Sequence, residues 1–260
     1  MAQHDLNYSL DKIADLIVQS KRTVVFTGAG ISTESGIPDF RGPGGLWTRF
    51  NPEEFTIQNF LDNAENRKKH WRILTEGGLA SNAEPNLAHY AIAEMEKLDK
   101  LACVITQNVD NLHQKAGVSP QKVLELHGNM GRVRCIKCGK LSPMKDIQEK
   151  LKSGEVPDCS NCGGILKPDV VFFGESLPQK TLEDATHHSR NCDLFIVVGS
   201  TLVVYPAAYM PVHAVESGAS LVIINLGSTP LDSQAKVVLN AKAGEAMSKL
   251  IGKVKDRLMS

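Results

Sequence analysis

Short, nearly unbroken apolar runs punctuate the chain: TVVFT (23–27), LACVIT (101–106), VLEL (123–126), DVVFF (169–173), LFIVVGS (194–200) and LVIINL (221–226). They have the length of strands and are rich in β-branched residues. They do not alternate with polar positions, which is the pattern of strands covered on both faces in a parallel sheet. Between them the period changes. Residues 9–19 read as a helix, with Ser9 as N-cap and Leu10, Ile13, Leu16 and Ile17 on one face. PNLAHYAIAEMEKLD (85–99) predicts a helix with Pro85 at its first position and Leu87, Ala91, Met95 and Leu98 on one face. PAAYMPVHAVESG (206–218), with a proline in its middle, and AGEAMSKLIGKVKDRL (243–258) predict two more. Strand and helix in alternation predict an α/β fold, a Rossmann-like doubly wound parallel sheet.

Two stretches break the alternation. Residues 48–80 are polar, partly helical and interrupted by Gly77-Gly78, and residues 131–167 carry paired cysteines. The expected organisation is therefore a Rossmann-like domain from 1–47, 81–130 and 168–260. A helical module (48–80) and a zinc-binding module (131–167) together form a smaller domain. The 260 residues suffice for one large domain with inserts. The formal net charge of zero gives no push toward nucleic acid or an anionic membrane. No apolar run is long enough to span a bilayer, and the polar, amphipathic N-terminus has no secretory pattern, so a cytoplasmic protein is expected.

Of six cysteines, Cys135, Cys138, Cys159 and Cys162 form C-x2-C, twenty residues, C-x2-C. Each pair closes a tight turn presenting two thiolates, and two turns complete a tetrahedral zinc site. With four protein ligands no coordination position stays open, so the metal is expected to be structural. A nucleic-acid-binding zinc ribbon is the functional rival, with Arg132, Arg134, Lys137 and Lys140 as its basic charge; a solvated charged face is the plainer account. Cys103 and Cys192 read as small core residues.

After TVVFT the chain runs GAGISTESGIPDFRG (28–42). Gly28 and Gly30 suit the close approach of a pyrophosphate to backbone N–H groups. The dinucleotide fingerprint departs there, because Thr33 stands where a third glycine belongs and no acidic residue ends a second strand. An ordinary hydride-transferring dehydrogenase is disfavoured. Ser32 and Arg41 offer groups to phosphate, and Asp39 and Phe40 offer walls for a sugar pocket. TQNVDNLHQKAG (106–117) and HGN (127–129) follow two further strands, which places Gln107, Asn108, Asp110, His113 and His127 where ligands bind in such sheets. The pattern does not choose between His113 and His127 as a catalytic base. His4, His70, His187, His188 and His213 read as surface or helix filler, and His89 as packing.

Taken together and in order, GAGISTESGIPDFRG, TQNVDNLHQKAG, LHGN, the paired cysteines, KPDVVFFGE, VGSTLVVYPAA and INLG resemble the sirtuins, NAD-dependent protein deacylases, of prokaryotic type, over about residues 12–258. The resemblance implies NAD as co-substrate, structural Zn2+ and acyl-lysine proteins or peptides as substrates. It implies NAD contacts from Gly28, Ala29, Gly30, Ser32, Asp39, Phe40 and Arg41, with Gln107, Asn108 and Asp110 around the nicotinamide and its ribose. Gly199, Ser200, Thr201, Asn225 and Leu226 would hold the adenosine half, with Ala243 over adenine. Val171, Phe173, Gly174 and Glu175 would line the acyl-lysine tunnel and pair with the substrate backbone, with Val204 on the other side. His127, Asn108 and Asp110 would be catalytic.

The implied reaction accounts for these residue types. An amide oxygen is a poor nucleophile and must be held in line with the ribose carbon, away from water. A ribose hydroxyl must then attack the acyl carbon, which needs a base with a pKa near neutrality, here His127. The products are free lysine, nicotinamide and 2′-O-acyl-ADP-ribose. Relatives that prefer succinyl or malonyl lysine carry a Tyr-x-x-Arg pair, whereas ENRKKHWRILTEGG (65–78) has no tyrosine. Acetyl or longer apolar acyl groups are thus expected, with Arg67 and Arg72 as solvated charges. Protein mono-ADP-ribosylation and a non-catalytic NAD- and zinc-containing binding protein are the alternatives.

Overall fold

The computed structural model describes residues 2–40, 42, 44–75 and 83–259. Arg41 and Gly77-Gly78 lie outside them. Helix α1 (Ala2–Gln19) leads into β1 (Thr23–Thr27), followed by α2 (Ile57–Asp62), α3 (Ala64–Thr75) and α4 (Leu87–Lys97). Next come β2 (Cys103–Thr106), α5 (Leu112–Lys115), β3 (Val123–Glu125), β4 (Gly128–Cys135), β5 (Leu141–Pro143), α6 (Lys145–Lys152) and β6 (Leu166–Val170). The chain closes with α7 (Gln179–Arg190), β7 (Leu194–Val198), α8 (Tyr209–Glu216), β8 (Ser220–Ile224), β9 (Val237–Leu239) and α9 (Ala243–Met259).

Six strands form one parallel sheet in the order β3-β2-β1-β7-β8-β9. This is the doubly wound order, reversing between β1 and β7. The continuous apolar runs explain it. Val123, Val104, Val25, Ile196, Val222 and Val237 form one row across the six strands, and all enter the core under α1, α4 and α9. One position on, Ile105, Phe26, Val197 and Ile223 form a row that enters the opposite core under α7 and α8. Successive residues point to opposite faces, so both faces need apolar side chains. Burying each one fully stabilises the fold by roughly 1.5–3 kcal/mol.

Several elements differ from the expectation. Ser9 lies inside α1 rather than capping it, because Leu6 extends the apolar stripe of Leu10, Ile13 and Ile17 by one turn. Pro85 precedes the cap of α4. The cap is Asn86, whose Oδ1 accepts the Ala88 N–H at 2.9 Å, and Leu87 points to solvent, 59% exposed. Pro211 falls in the first turn of α8, where its missing N–H interrupts no ladder, so that helix continues.

The run DVVFF is not a strand of the large sheet. Its first two residues end β6, which is antiparallel to β4 in a three-stranded sheet of order β5-β4-β6, and Val171 onward is loop. Asp169 explains the pairing, since it accepts from Arg132 Nε at 3.0 Å and Arg134 Nε at 2.8 Å on β4. Those two arginines are therefore paired with a carboxylate rather than free as a basic patch. The expected boundaries at 130 and 167 fall inside β4 and β6. Trp71 of α3 packs into the same small core as Val133, Cys135, Ile147, Leu151, Cys159 and Leu166, so helical insert and cysteine module share one core.

Candidate active site

Loops from the C-terminal ends of the parallel strands supply most of the candidate residues. Gly28 to Phe40 follow β1, Gln107 to Asp110 follow β2, and His127 follows β3. Gly199 to Thr201 follow β7, Asn225 and Leu226 follow β8, and Ala243 opens α9 just beyond β9. The β1 and β7 loops flank the point where strand order reverses, and they interlock. The Gly30 N–H donates to Gly199 O at 2.9 Å, and a Cβ on Gly30 would sit 2.8 Å from Gly199 Cα. Gly199 itself has φ +65°, in the left-handed region. The absent third glycine is thus no defect: the glycines here serve loop-to-loop contact across the switch point.

Behind Gly28 the polar candidates knit together. The Ser32 hydroxyl donates to Asp110 Oδ2 at 2.7 Å and accepts from Asn108 Nδ2 at 3.1 Å. Asn108 Nδ2 also donates to Gly28 O at 3.1 Å, and Gln107 Nε2 donates to Ser200 Oγ at 2.8 Å. Ser32 is 1% exposed, so its hydroxyl lies beneath the loops rather than on the surface. Asp110 accepts the Leu112 N–H at 2.9 Å, yet burial pushes its carboxyl above the usual range. Asp39 Oδ1 accepts the Gly42 N–H at 2.6 Å, folding its own loop closed.

His127 and His113 separate clearly. His127 is half-buried, and its Nδ1 faces Gln107 O at 2.8 Å. A carbonyl only accepts, so Nδ1 carries the proton and the lone pair of the neutral ring lies on Nε2. Burial lowers the pKa of this ring, and the Gln107 bond raises it in part. His113 is 2% exposed, and its Nε2 faces Thr27 Oγ1 at 2.9 Å. It has no access to a ligand.

Val171 and His127 are joined directly, the Val171 N–H donating to His127 O at 2.9 Å. Phe173 is 47% exposed, but its backbone is already used: it donates to Phe55 O at 3.0 Å and accepts the Ile57 N–H at 2.9 Å. Gly174 is exposed at φ +87°. Glu175 turns inward, accepting from Phe172 N–H at 2.7 Å and from the buried Lys167 Nζ at 2.8 Å. Its side chain thus ties the loop rather than lining it. Val204 is half-buried between exposed Val203 and Tyr205.

Residues the sequence reading passed over complete the site. Trp47 packs against Phe40 (5.3 Å between centroids), Phe55 (5.6 Å) and Phe173 (5.8 Å). Glu34 Oε2 accepts the Gly244 N–H at 2.6 Å, where an anion suits the start of α9. Lys167, inside KPDVVFFGE, is buried and donates to Val170 O and Glu175. His70, expected as filler, is 5% exposed among Phe55, Phe60 and Phe172. An aromatic placed between apolar runs is the signal that could have found Trp47; nothing local marks Glu34.

The four sulfurs of Cys135, Cys138, Cys159 and Cys162 lie within 4.8 Å of one another, with Cys135–Cys162 at 3.5 Å and Cys138–Cys159 at 3.8 Å. Zn–S bonds of ~2.3 Å in a tetrahedron put sulfurs roughly 3.8 Å apart, so the donor set fits zinc. The Lys140 N–H leads the influences that pull the Cys138 thiol down to about 6. Cys103 and Cys192 are buried, and burial pushes each thiol up to about 12.

The Sir2 family pattern matches residues 28–206, which hold both glycine loops, the polar candidates and the cysteine cluster. The chain belongs to the Sir2 family. It is 46% identical over 245 residues to NAD-dependent protein deacylase 2 of Archaeoglobus fulgidus, covering 94% of this chain and 95% of that one. It is 45% identical to the NAD-dependent protein deacetylase of Thermotoga maritima, covering 89% and 92%. A solved Sir2 complex with a p53 peptide and NAD+ superposes with a TM-score of 0.85 at 42% identity, covering 96% and 98%. The matched span holds the Ser32–Asn108–Asp110 hydrogen-bond group and His127, whose Nδ1 is held by Gln107 O. No helix among the described residues is long and apolar enough to cross a membrane.

Proposed function

We propose that this protein is an NAD-dependent protein lysine deacylase that releases free lysine, nicotinamide and 2′-O-acyl-ADP-ribose. The observation that carries the reading is His127. Its Nδ1 proton is committed to Gln107 O, which leaves Nε2 as acceptor, and the residue after Gln107, Asn108, is bound to Ser32, which in turn donates to Asp110. NAD supplies an activated bond between nicotinamide and ribose. Asn108, Asp110 and Gln107 line the nicotinamide end, and Ser32 with the 28–30 backbone steadies it. The glycine loops, with Ala29, Ser200 and Thr201, receive the pyrophosphate and the adenosine half, with Asn225, Leu226 and Ala243 beyond. Asp39 and Phe40 close over the sugar. His127 Nε2 takes the proton of a ribose hydroxyl.

An uncharged acyl-lysine enters past Phe173 and Val171. Substrate backbone adds as a strand at Gly174 and at Val204. Acetyl or longer apolar acyl groups are the proposed class, and the fate of Arg67 supports this. It donates to Phe60 O at 3.0 Å and Leu61 O at 2.7 Å, holding the end of α2. Zinc held by the four thiolates braces the small sheet. The two-unit division, a Rossmann-like unit and a helical-plus-zinc unit, and a cytoplasmic setting, which keeps thiols reduced, belong to the same proposal.

The test is incubation with NAD+ and acetyl-, succinyl- and myristoyl-lysine peptides, read by mass spectrometry with His127→Ala alongside. Free lysine and O-acyl-ADP-ribose that vanish in the variant are expected. ADP-ribose mass on protein would replace the reading by transfer. Bound NAD+ with no nicotinamide released would replace it by a non-catalytic role.

A further inference from the structure

His89 and His113 lie behind the site, 0% and 2% exposed, with ring centroids 5.1 Å apart. The deacylase reading gives neither a task. His89 Nδ1 accepts the Asn86 N–H at 3.3 Å, so its proton is on Nε2. His89 Nε2 and His113 Nδ1 are both buried without a hydrogen-bond partner. On its other side His113 Nε2 meets Thr27 Oγ1 at 2.9 Å, Thr27 Oγ1 meets Thr106 Oγ1 at 2.8 Å, and the Asn108 N–H donates to Thr106 Oγ1 at 3.0 Å.

Thr27 spends its one hydroxyl proton on Thr106 Oγ1, so Thr27 Oγ1 accepts from His113 Nε2–H and the lone pair of the neutral His113 ring falls on Nδ1. Burial holds His89 at about 4 and His113 at about 3, so both rings are neutral and this arrangement persists through neutral pH. Both ends reach the same loop. Asn86 Nδ2 donates to Ile31 O at 2.7 Å and Ser35 Oγ at 3.0 Å, while Asn108 Nδ2 donates to Gly28 O.

We propose that His113, backed by His89, is a positioning residue that fixes Asn108 against the Gly28–Ser35 loop through Thr27 and Thr106. Its substrate-facing consequence is grip on the nicotinamide end of NAD rather than on the ADP-ribose end. The proposal rests on the reading of Asn108 as part of the nicotinamide pocket.

NAD+ and ADP-ribose affinities of the full chain, measured by calorimetry, test it with His113→Leu, His113→Gln and Thr27→Val. His113→Leu is expected to weaken NAD+ by about tenfold while ADP-ribose stays within about twofold. His113→Gln, whose amide both donates and accepts, is expected to restore most of the loss. Should His113→Leu fail to fold, Thr27→Val carries the test, since it removes one link at nearly constant volume, and the same selective loss is expected. Equal weakening of both ligands, or a Thr27→Val protein that binds NAD+ like the wild type, overturns the proposal. Wild-type protein that binds NAD+ without turnover would sink the deacylase reading and leave this comparison readable. Wild-type protein that binds neither ligand would sink both.

Discussion

His127 acts only if its Nε2 is unprotonated, and burial lowers its pKa below the ordinary histidine value of 6.5. The sign for activity follows. As pH falls through 6.5 the base form persists, and the acidic limb of kcat/KM lies lower, with the rate lost only below it. A pH profile of kcat/KM at sub-saturating acetyl-peptide checks this, and a limb at or above 6.5 would remove His127 as the group that titrates. Loss of a general base costs about 10²–10⁴-fold, so His127→Ala is expected to fall in that range. The choice between His127 and His113 was not legible in the chain, because both follow strands and both have polar neighbours. Burial separates them, and burial depends on which helix lies behind each strand.

At the scale of elements, legibility followed the physics of each run. β1, β7 and β8 were readable because a strand covered on both faces is apolar at every position. β9, only three residues with Lys236 before it, and α7, QKTLEDATHHSR, were not, since an edge strand and a polar helix carry little periodic signal. DVVFF misled because its apolar rings pack against Phe60 and His70 of the helical insert and against Trp47, and only Asp169 betrays the pairing with β4. The cysteine spacing was fully legible, since ligand geometry is local.

The metal site predicts its own dissection. β6 runs from the cysteine turn into Val170, and Lys167 there holds Glu175 and lies over the Phe172 ring at 4.5 Å. Zinc removal by a chelator under native conditions is expected to lower Tm and raise the peptide KM. NAD+ affinity, which the proposed function places on the loops after β1, β2 and β7, should change by no more than about twofold. Calorimetry with each ligand separates the two. Equal loss of NAD+ and peptide would mean that the small sheet supports the whole fold rather than the substrate loop.

Across the whole molecule, the loop after β1, the helical insert and the loop after β6 meet at an aromatic bridge. Phe40 belongs to the loop after β1, Phe55 to the helical insert, Phe173 to the loop after β6, and Trp47 touches all three. On the proposed function these are the cofactor-side and substrate-side loops, and a single side chain in contact with both gives each ligand a means of ordering the other's site. Coupling between two binding sites is reciprocal, so NAD+ should tighten peptide binding by the factor by which peptide tightens NAD+. Couplings of this kind amount to about 1–3 kcal/mol, or roughly 5–150-fold. Trp47→Ala removes the shared wall while leaving Asn108, Asp110 and His127 in their own hydrogen bonds. It should reduce that factor toward unity and leave peptide affinity in the absence of nucleotide nearly unchanged. Peptide titrations with and without an uncleavable NAD analogue measure it in both proteins. An undiminished factor in the variant would show that the two sites communicate through backbone pairing alone, the Phe173–Phe55 and Ile57–Phe173 bonds being the remaining route.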